Sequence, residues 1–264
     1  MPRFFNRIRK QLAKENKFFQ YSRYAIGEIL LVVIGILIAL QIDNWNEKRK
    51  ERNLYRNYLV RLKSDFENFY RDAEHHSWWE EELRDLAVFQ ADFLNGQLES
   101  LDTLKLAVSI EFTGAINFYS IDLPTSSELS STGRFTLIEN DSLKTVLNNW
   151  KGLQVQRKDE NEEWYAWIYM YRELVRNILT TEDKLDIDFM WKRPYPDDSR
   201  WKTYKLRTAG RLITKELSEI PEFPGLLNDI IVARSITLGY LNQEKRMASE
   251  TIELIQSEIN RLNN

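Results

Sequence analysis

His75 and His76 are the only histidines in the chain, and carboxylates flank them: Asp72 lies one helical turn before His76 and Glu80 one turn after it. Imidazole and carboxylate at this spacing are the groups that hold a divalent metal inside a helical bundle. A di-iron bundle needs a second Glu-x-x-His, and no third histidine exists to complete one. The pattern therefore predicts a hydrogen-bonded structural pair or solvated side chains, with no metal and no cofactor.

The run from Pro124 to Gly133, PTSSELSSTG, offers hydroxyls that invite a nucleophile or a phosphate site. Its spacing has a local explanation: Thr125 and Glu128 match a capping box, and Gly133 can close the one-turn helix they would start. Trp164, Trp167 and Tyr171 recur at helical spacing, with Tyr165 and Tyr169 on a second stripe. Such rings either fill a thick core between helices or line a ligand pocket, and core packing is the commoner outcome. Trp78 and Trp79 are adjacent, so on a helix they cannot face one seam, and one of them is expected at the surface. Cysteine is absent, which removes disulfides, zinc-thiolate sites and a thiol nucleophile. No Walker loop, dinucleotide fingerprint or metalloprotease helix occurs, and no catalytic residue is assigned.

These groups must be positioned by helices. The 264 residues hold only 9 Gly and 6 Pro, little punctuation for a many-turned sandwich. From Ile29 to Leu40 the chain reads ILLVVIGILIAL without a polar residue, and the stretch widens to Tyr24–Ile42 if Glu28 and Gln41 sit near the interfaces. At about 1.5 Å per residue this covers roughly 28 Å, against about 30 Å for a hydrocarbon core. A single transmembrane helix over 24–42 is expected. Glu28 is placed near the headgroups, within reach of Arg23, and Gly35 with Ala39 forms a small-x-x-x-small pair that would let another helix approach. Trp45, Tyr21 and Tyr24 flank the span as interfacial anchors.

Residues 1–23 carry Arg3, Arg7, Arg9, Lys10, Lys14, Lys17 and Arg23 against the single acid Glu15. Phe4, Phe5, Ile8, Leu12 and Phe19 recur among them, so the leader reads as an amphipathic helix on anionic lipid headgroups or as a charged tail. The positive-inside rule then places the N-terminus in the cytoplasm and the C-terminal region across the membrane. The net charge of -3, from 37 cations and 40 acids, conceals this division: the acids concentrate in residues 43–264. A nucleic-acid surface is not expected there.

After Asn44, Tyr55, Leu59, Leu62, Phe66, Phe69 and Ala73 advance in steps of four and three, followed by Leu83, Ala87 and Leu94. They predict a long helix ending near Asn95-Gly96, with continuity into the span left open. Leu238, Leu241, Lys245, Ala248, Ile252, Ile255, Ile259 and Leu262 fit a coiled-coil heptad seam with one Lys intruding. Its flanks lack the alternating charges that select a separate partner. The last helix, starting after Pro224-Gly225, is therefore expected to pack antiparallel on the first long helix. Further helices are predicted over Asp141–Leu179 and Thr203–Leu217, a loop over Asp183–Arg200 and one short strand at Arg134–Ile138. The fold class is all-α: an N-terminal transmembrane helix, then a long-helix antiparallel bundle over 43–264.

Three stretches also carry a family likeness. Tyr24–Glu47, YAIGEILLVVIGILIALQIDNWNE, together with T-x-x-E-L-x-S-x-G leading to LIENDSL over Thr125–Leu143 and IIVARSITL over Ile230–Leu238, resembles an uncharacterised bacterial family of single-span membrane proteins, a domain of unknown function. The resemblance spans essentially the whole chain. It implies a membrane-anchored helical protein of Gram-negative bacteria and supplies no reaction, cofactor or catalytic residue. The expectation is a non-enzymatic scaffold or interaction module at the inner membrane, with a protein partner or self-association. The alternatives are a small-ligand sensor built on Trp164, Trp167 and Tyr171, and a carboxylate-dependent envelope hydrolase.

Overall fold

Between residues 18 and 94 the sequence has no proline and glycine only at 27 and 35, so nothing interrupts the helical hydrogen-bond ladder. The computed structural model, which describes residues 18–117, 119–191, 205–207, 217 and 219–263, accordingly shows one helix, α1, over Phe18–Leu94. Gly96, at a φ of 67°, stands just past its end in the left-handed conformation that glycine adopts without steric cost. The expected helix end is thus in place. The expected amphipathic leader over 1–23 lies almost entirely outside the described residues, as does most of the helix expected over Thr203–Leu217.

Two compact units divide the chain, residues 1–57 and 58–264. Within the first, no side chain from Ser22 to Leu54 is buried, and Ile29 and Leu31 are 63% and 72% exposed. This part of α1 holds a stretch long and apolar enough to cross a membrane.

In the second unit, Leu59, Leu62, Phe66, Phe69, Ala73, Leu83 and Ala87 of α1 are buried, as their spacing requires. α2 spans Thr103–Thr113 and was not foreseen, although its start is signalled in the sequence: the Asp102 carboxylate accepts from the amides of Leu104 and Lys105. Gly114 follows, where a Cβ would stand 3.2 Å from the Tyr171 ring, so only glycine fits without displacement. α3 covers Pro124–Ser131. The capping box expected from Thr125 and Glu128 does not form. The helix begins one residue earlier, on Pro124 with its preset φ, the Thr125 amide donates to Asp65, and Glu128 turns away to Tyr58 and Arg61.

Gly133, at a φ of 68°, closes α3 as expected, but Arg134–Leu137 is a 3-10 turn and not a strand. A residue arriving from the left-handed region and two residues from the next cap leaves no room for an extended run, and no strand occurs among the described residues. α4 spans Asp141–Val175, capped by Asn140 accepting from the Leu143 amide. α5 spans Thr181–Trp191, where a loop was expected from Asp183 onward. Thr180 and Asp183 explain the correction: the Asp183 amide donates to the Thr180 hydroxyl, which in turn donates to the Asp183 carboxylate, a reciprocal cap. The rest of that expected loop lies outside the described residues.

α6 spans Phe223–Asn263, with Pro224 in the first turn where its missing N–H costs nothing. Its nearest neighbour by backbone approach is α4 and not α1. Contacts pair Asn140 with Glu258, Trp150 with Thr251, Arg157 with Glu244 and Trp164 with Tyr240, so numbers fall along α6 as they rise along α4. The buried edge of α6 also differs in register from the expected seam. Leu238, Leu241, Ala248, Ile255 and Ile259 are buried as read, but Glu244 and Thr251 take the places expected for Lys245 and Ile252. Both are chosen by partners on α4, a guanidinium and an indole N–H, that an apolar side chain could not satisfy.

Candidate functional site

The interior of the second unit carries two ion pairs between residues far apart in the chain. In the first, Arg157 of α4 donates through Nε to Glu244 of α6 at 2.6 Å, and through Nη1 to Glu160 at 2.5 Å. Tyr119, in the segment between α2 and α3, donates to the other Glu244 oxygen at 2.5 Å, and the Tyr240 ring lies 3.5 Å from the guanidinium carbon. Burial, followed by the Glu244 charge, pushes the Tyr119 phenol far above its ordinary range, so it stays a neutral donor. Burial pulls Arg157 down, but its hydrogen bonds and charges with Glu244 and Glu160 outweigh this and raise it. Every group here has its partner.

In the second pair, Arg234 of α6 donates through Nη1 to Glu80 of α1 at 2.8 Å. Its Nη2 donates to the carbonyls of Thr113 and Ala115 at the end of α2, at 3.0 and 2.8 Å. Both side chains are buried, at 4% and 8% exposure. Arg234 Nε has no partner, and it is the sole buried side-chain nitrogen or oxygen among the described residues in that condition. Beside it is a cavity of about 30 Å³, lined by Glu80, Asn117, Tyr119, Trp164, Trp167 and Arg234 among others.

Trp164 and Trp167 are partly buried and line this cavity, with Trp167 also packed against the core; the Trp164 ring is stacked parallel on Tyr240, 6.3 Å between centroids. Tyr165 also faces the cavity, and burial raises its phenol above the usual value. Tyr171, which shares their spacing, is fully buried elsewhere, its hydroxyl 3.0 Å from Gln90 Oε1 and from the Ile110 carbonyl. Of the three that spacing groups, only Tyr171 is fully buried.

His76 and Glu80 do not pair with each other. His76 Nδ1 lies 2.7 Å from Asn117 Oδ1, its ring meets Tyr119 edge-on, and Glu80 goes to Arg234. Among the described residues no three His, Asp or Glu side chains gather as a metal-holding group. Of the tryptophan pair, Trp78 is 43% exposed and stacks on His75, while Trp79 packs partly against the core. Glu28, Gly35 and Ala39 lie on the unburied part of α1, and a Cβ at Gly35 would meet nothing within 4 Å. The hydroxyls of Ser126, Ser127, Ser130 and Ser131 line a shallow depression with Lys151 and Gln154.

Sequence reasoning missed Arg234, Arg157, Glu244, Asn117 and Tyr119. One signal was present: Arg234 interrupts the apolar run IIVARSITL, and a cation inside such a run asks for a buried acid.

Comparison with known families gives a match to a family of unknown function, DUF6090, over residues 28–166, more than half of the chain. The chain belongs to the DUF6090 family. The match includes Glu28, the apolar stretch that follows it, the serine-rich α3 and Trp164, together with Glu80 and Arg157. It stops short of α6, so Ile230–Leu238, Arg234 and Glu244 fall outside it and the whole-chain likeness expected from sequence is narrower than read. No curated protein and no solved structure matched the chain.

Proposed function

We propose that this DUF6090 chain is a membrane-anchored helical module without enzymatic activity, acting as a scaffold or interaction domain at a bacterial inner membrane. One observation carries the reading: around the whole circumference of α1, from Ser22 through Ile42, no side chain is buried. A contiguous apolar surface of that size exceeds what a soluble monomer leaves in water, and its length suits a bilayer. The cations of residues 1–23 support an N-terminus in the cytoplasm, held to anionic headgroups, with the domain after residue 43 on the periplasmic side. In that domain, α4 and α6 with the buried stripe of α1 serve as an antiparallel bundle whose surface meets a protein partner or a second copy. Gly35 and Ala39 suit a helix contact within the bilayer.

Crosslinking in native membranes followed by mass spectrometry tests the module: a reproducible partner or self-crosslink is expected, and recovery of random neighbours only would overturn it. A C-terminal alkaline phosphatase fusion tests orientation and is expected to be active; an inactive fusion beside a working cytoplasmic reporter would reverse it.

A second reading is favoured by the cavity at Arg234. Trp164 and Trp167 line a space between helices, as a small-ligand sensor requires. Glu80, one wall of that space, is carried by α1, the helix that also holds the apolar stretch.

A further inference from the structure

Beyond Ile42, α1 leaves the apolar stretch and enters a run of cations, Lys48, Arg49, Lys50, Arg52 and Arg56, with the acids Glu47 and Glu51 among them. All of these side chains are exposed, as is Trp45 at 65%. At about 100° of turn per residue, Lys48, Arg49, Arg52 and Arg56 fall in one sector of about 100° that also holds Trp45. Glu47 and Glu51 lie outside that sector, and Lys50 projects from the opposite side. The Arg49 guanidinium stands 5.8 Å from the centre of the Trp45 ring, so cation and indole share one side of the helix. Lys48, Arg52 and Arg56 repeat every fourth residue, a like-charge spacing that an anion placed against it relieves.

The rise of the helix sets the depth of these charges. Lys48 and Arg49 come about 9 and 10 Å beyond Ile42 at 1.5 Å per residue, and the polar layer on each side of a bilayer is roughly 5–8 Å thick. Helical side chains lean toward the N-terminus, which in α1 is the direction of the apolar stretch, so both cations reach back to headgroup level. Arg52, about 15 Å beyond Ile42, stands about one Debye length from that layer. Membrane helices tilt by about 20° on average, which brings one side of the emerging helix nearer to the leaflet.

We infer that the side of α1 carrying Trp45, Lys48, Arg49 and Arg52 grips anionic phospholipid headgroups in the leaflet from which the helix emerges, with Lys50 turned away. The inference rests on the membrane-anchored reading above and holds for either orientation of the chain.

Two lysines of neighbouring depth on opposite sides of the helix give the test its internal control. The full chain is reconstituted in nanodiscs of phosphatidylcholine alone or mixed with phosphatidylglycerol. Its amines are reductively methylated with formaldehyde, an uncharged reagent, and mass spectrometry reads the rate at each lysine. A headgroup phosphate against Lys48 shields its amine, so Lys48 is expected to react about fivefold more slowly in the anionic discs, and Lys50 to slow by less than about twofold. Equal slowing of both lysines would reduce the effect to the overall charge of the leaflet, and no slowing of either would remove it; each result overturns the inference and leaves the membrane anchor standing. Polyphosphate added to the neutral discs forms the last arm: if it slows Lys48 as much as phosphatidylglycerol does, this face belongs to a soluble anion and not to lipid. If the chain enters discs of neither composition, the membrane reading itself falls, and this inference with it.

Discussion

Arg157–Glu244 and Arg234–Glu80 are the same pair of groups in the same interior, yet one is closed and the other is not. Glu244 accepts from Arg157 and Tyr119 together, and Arg157 spends a second nitrogen on Glu160 beneath the Tyr240 ring. Arg234 is held by one carboxylate oxygen and two backbone carbonyls, and its Nε is left over beside a cavity. The closed pair ties α4 to α6 and has nothing further to offer. The open pair ties α6 to α1 and retains a donor. A buried ion pair is weak evidence of stability by itself; what distinguishes these two is whether each polar atom has been satisfied.

The largest test of this contrast is Glu244→Ala. It takes the acceptor from a buried phenol and from a buried guanidinium that keeps only Glu160, two hydrogen bonds lost at once, and should cost about 3–5 kcal/mol in urea unfolding. Glu80→Ala takes from Arg234 its one carboxylate but a single hydrogen bond, and two carbonyls still hold the guanidinium. Its cost should be smaller by about 1 kcal/mol, the worth of one hydrogen bond. Equal losses from the two variants would remove the distinction between a closed and an open pair.

A smaller effect is expected about two turns further along the α4–α6 contact, where the Trp150 indole donates to Thr251 at 3.2 Å. Thr251→Val keeps the shape and leaves that buried N–H alone, which should lower stability by about 1–3 kcal/mol. A neutral result would mean that the closed side tolerates an orphan donor as readily as Arg234 does.

The smallest effect belongs to an exposed pair, Arg61 with Glu128. Hydrogen bonds from Arg61, then from Tyr58, hold the Glu128 carboxyl below its ordinary value of 4.5. A carboxyl lowered by folding contributes above its unfolded value and loses that contribution as pH falls through the folded one. Glu128→Gln should therefore lower stability slightly at neutral pH, where the contribution of this exposed pair is fully present, and flatten the pH dependence only below the ordinary value. A large change at pH 7 would show that this surface pair matters as much as a buried one.

The stripe of α1 was legible because Leu59, Leu62, Phe66 and Phe69 repeat an apolar choice every turn, and one helix needs only one such face. Helix ends were legible wherever a residue had a single conformational use, as at Gly96 and Gly133. The starts of α2 and α5 were written in Asp102 and in the Thr180–Asp183 cap, but short helices have too few turns for periodicity to stand out. The seam of α6 was only half legible. Ile252 is more apolar than Thr251, and periodicity alone favours it; the indole of Trp150, 101 positions away in sequence, reverses the preference. The candidate site was the least legible part, since Glu80 and Arg234 stand 154 positions apart and neither has a local partner that marks it.

From sequence alone, then, the helical class, the apolar stretch on α1 and the absence of cysteine chemistry were determined, because each is a property of composition or of spacing within one segment. Which of forty acids meets which cation was decided only in three dimensions. Burial makes an unpaired charge costly, so the fold selects Glu80 for Arg234 and Glu244 for Arg157. The same selection stops one hydrogen bond short at Arg234, whose Nε the fold buries without a partner.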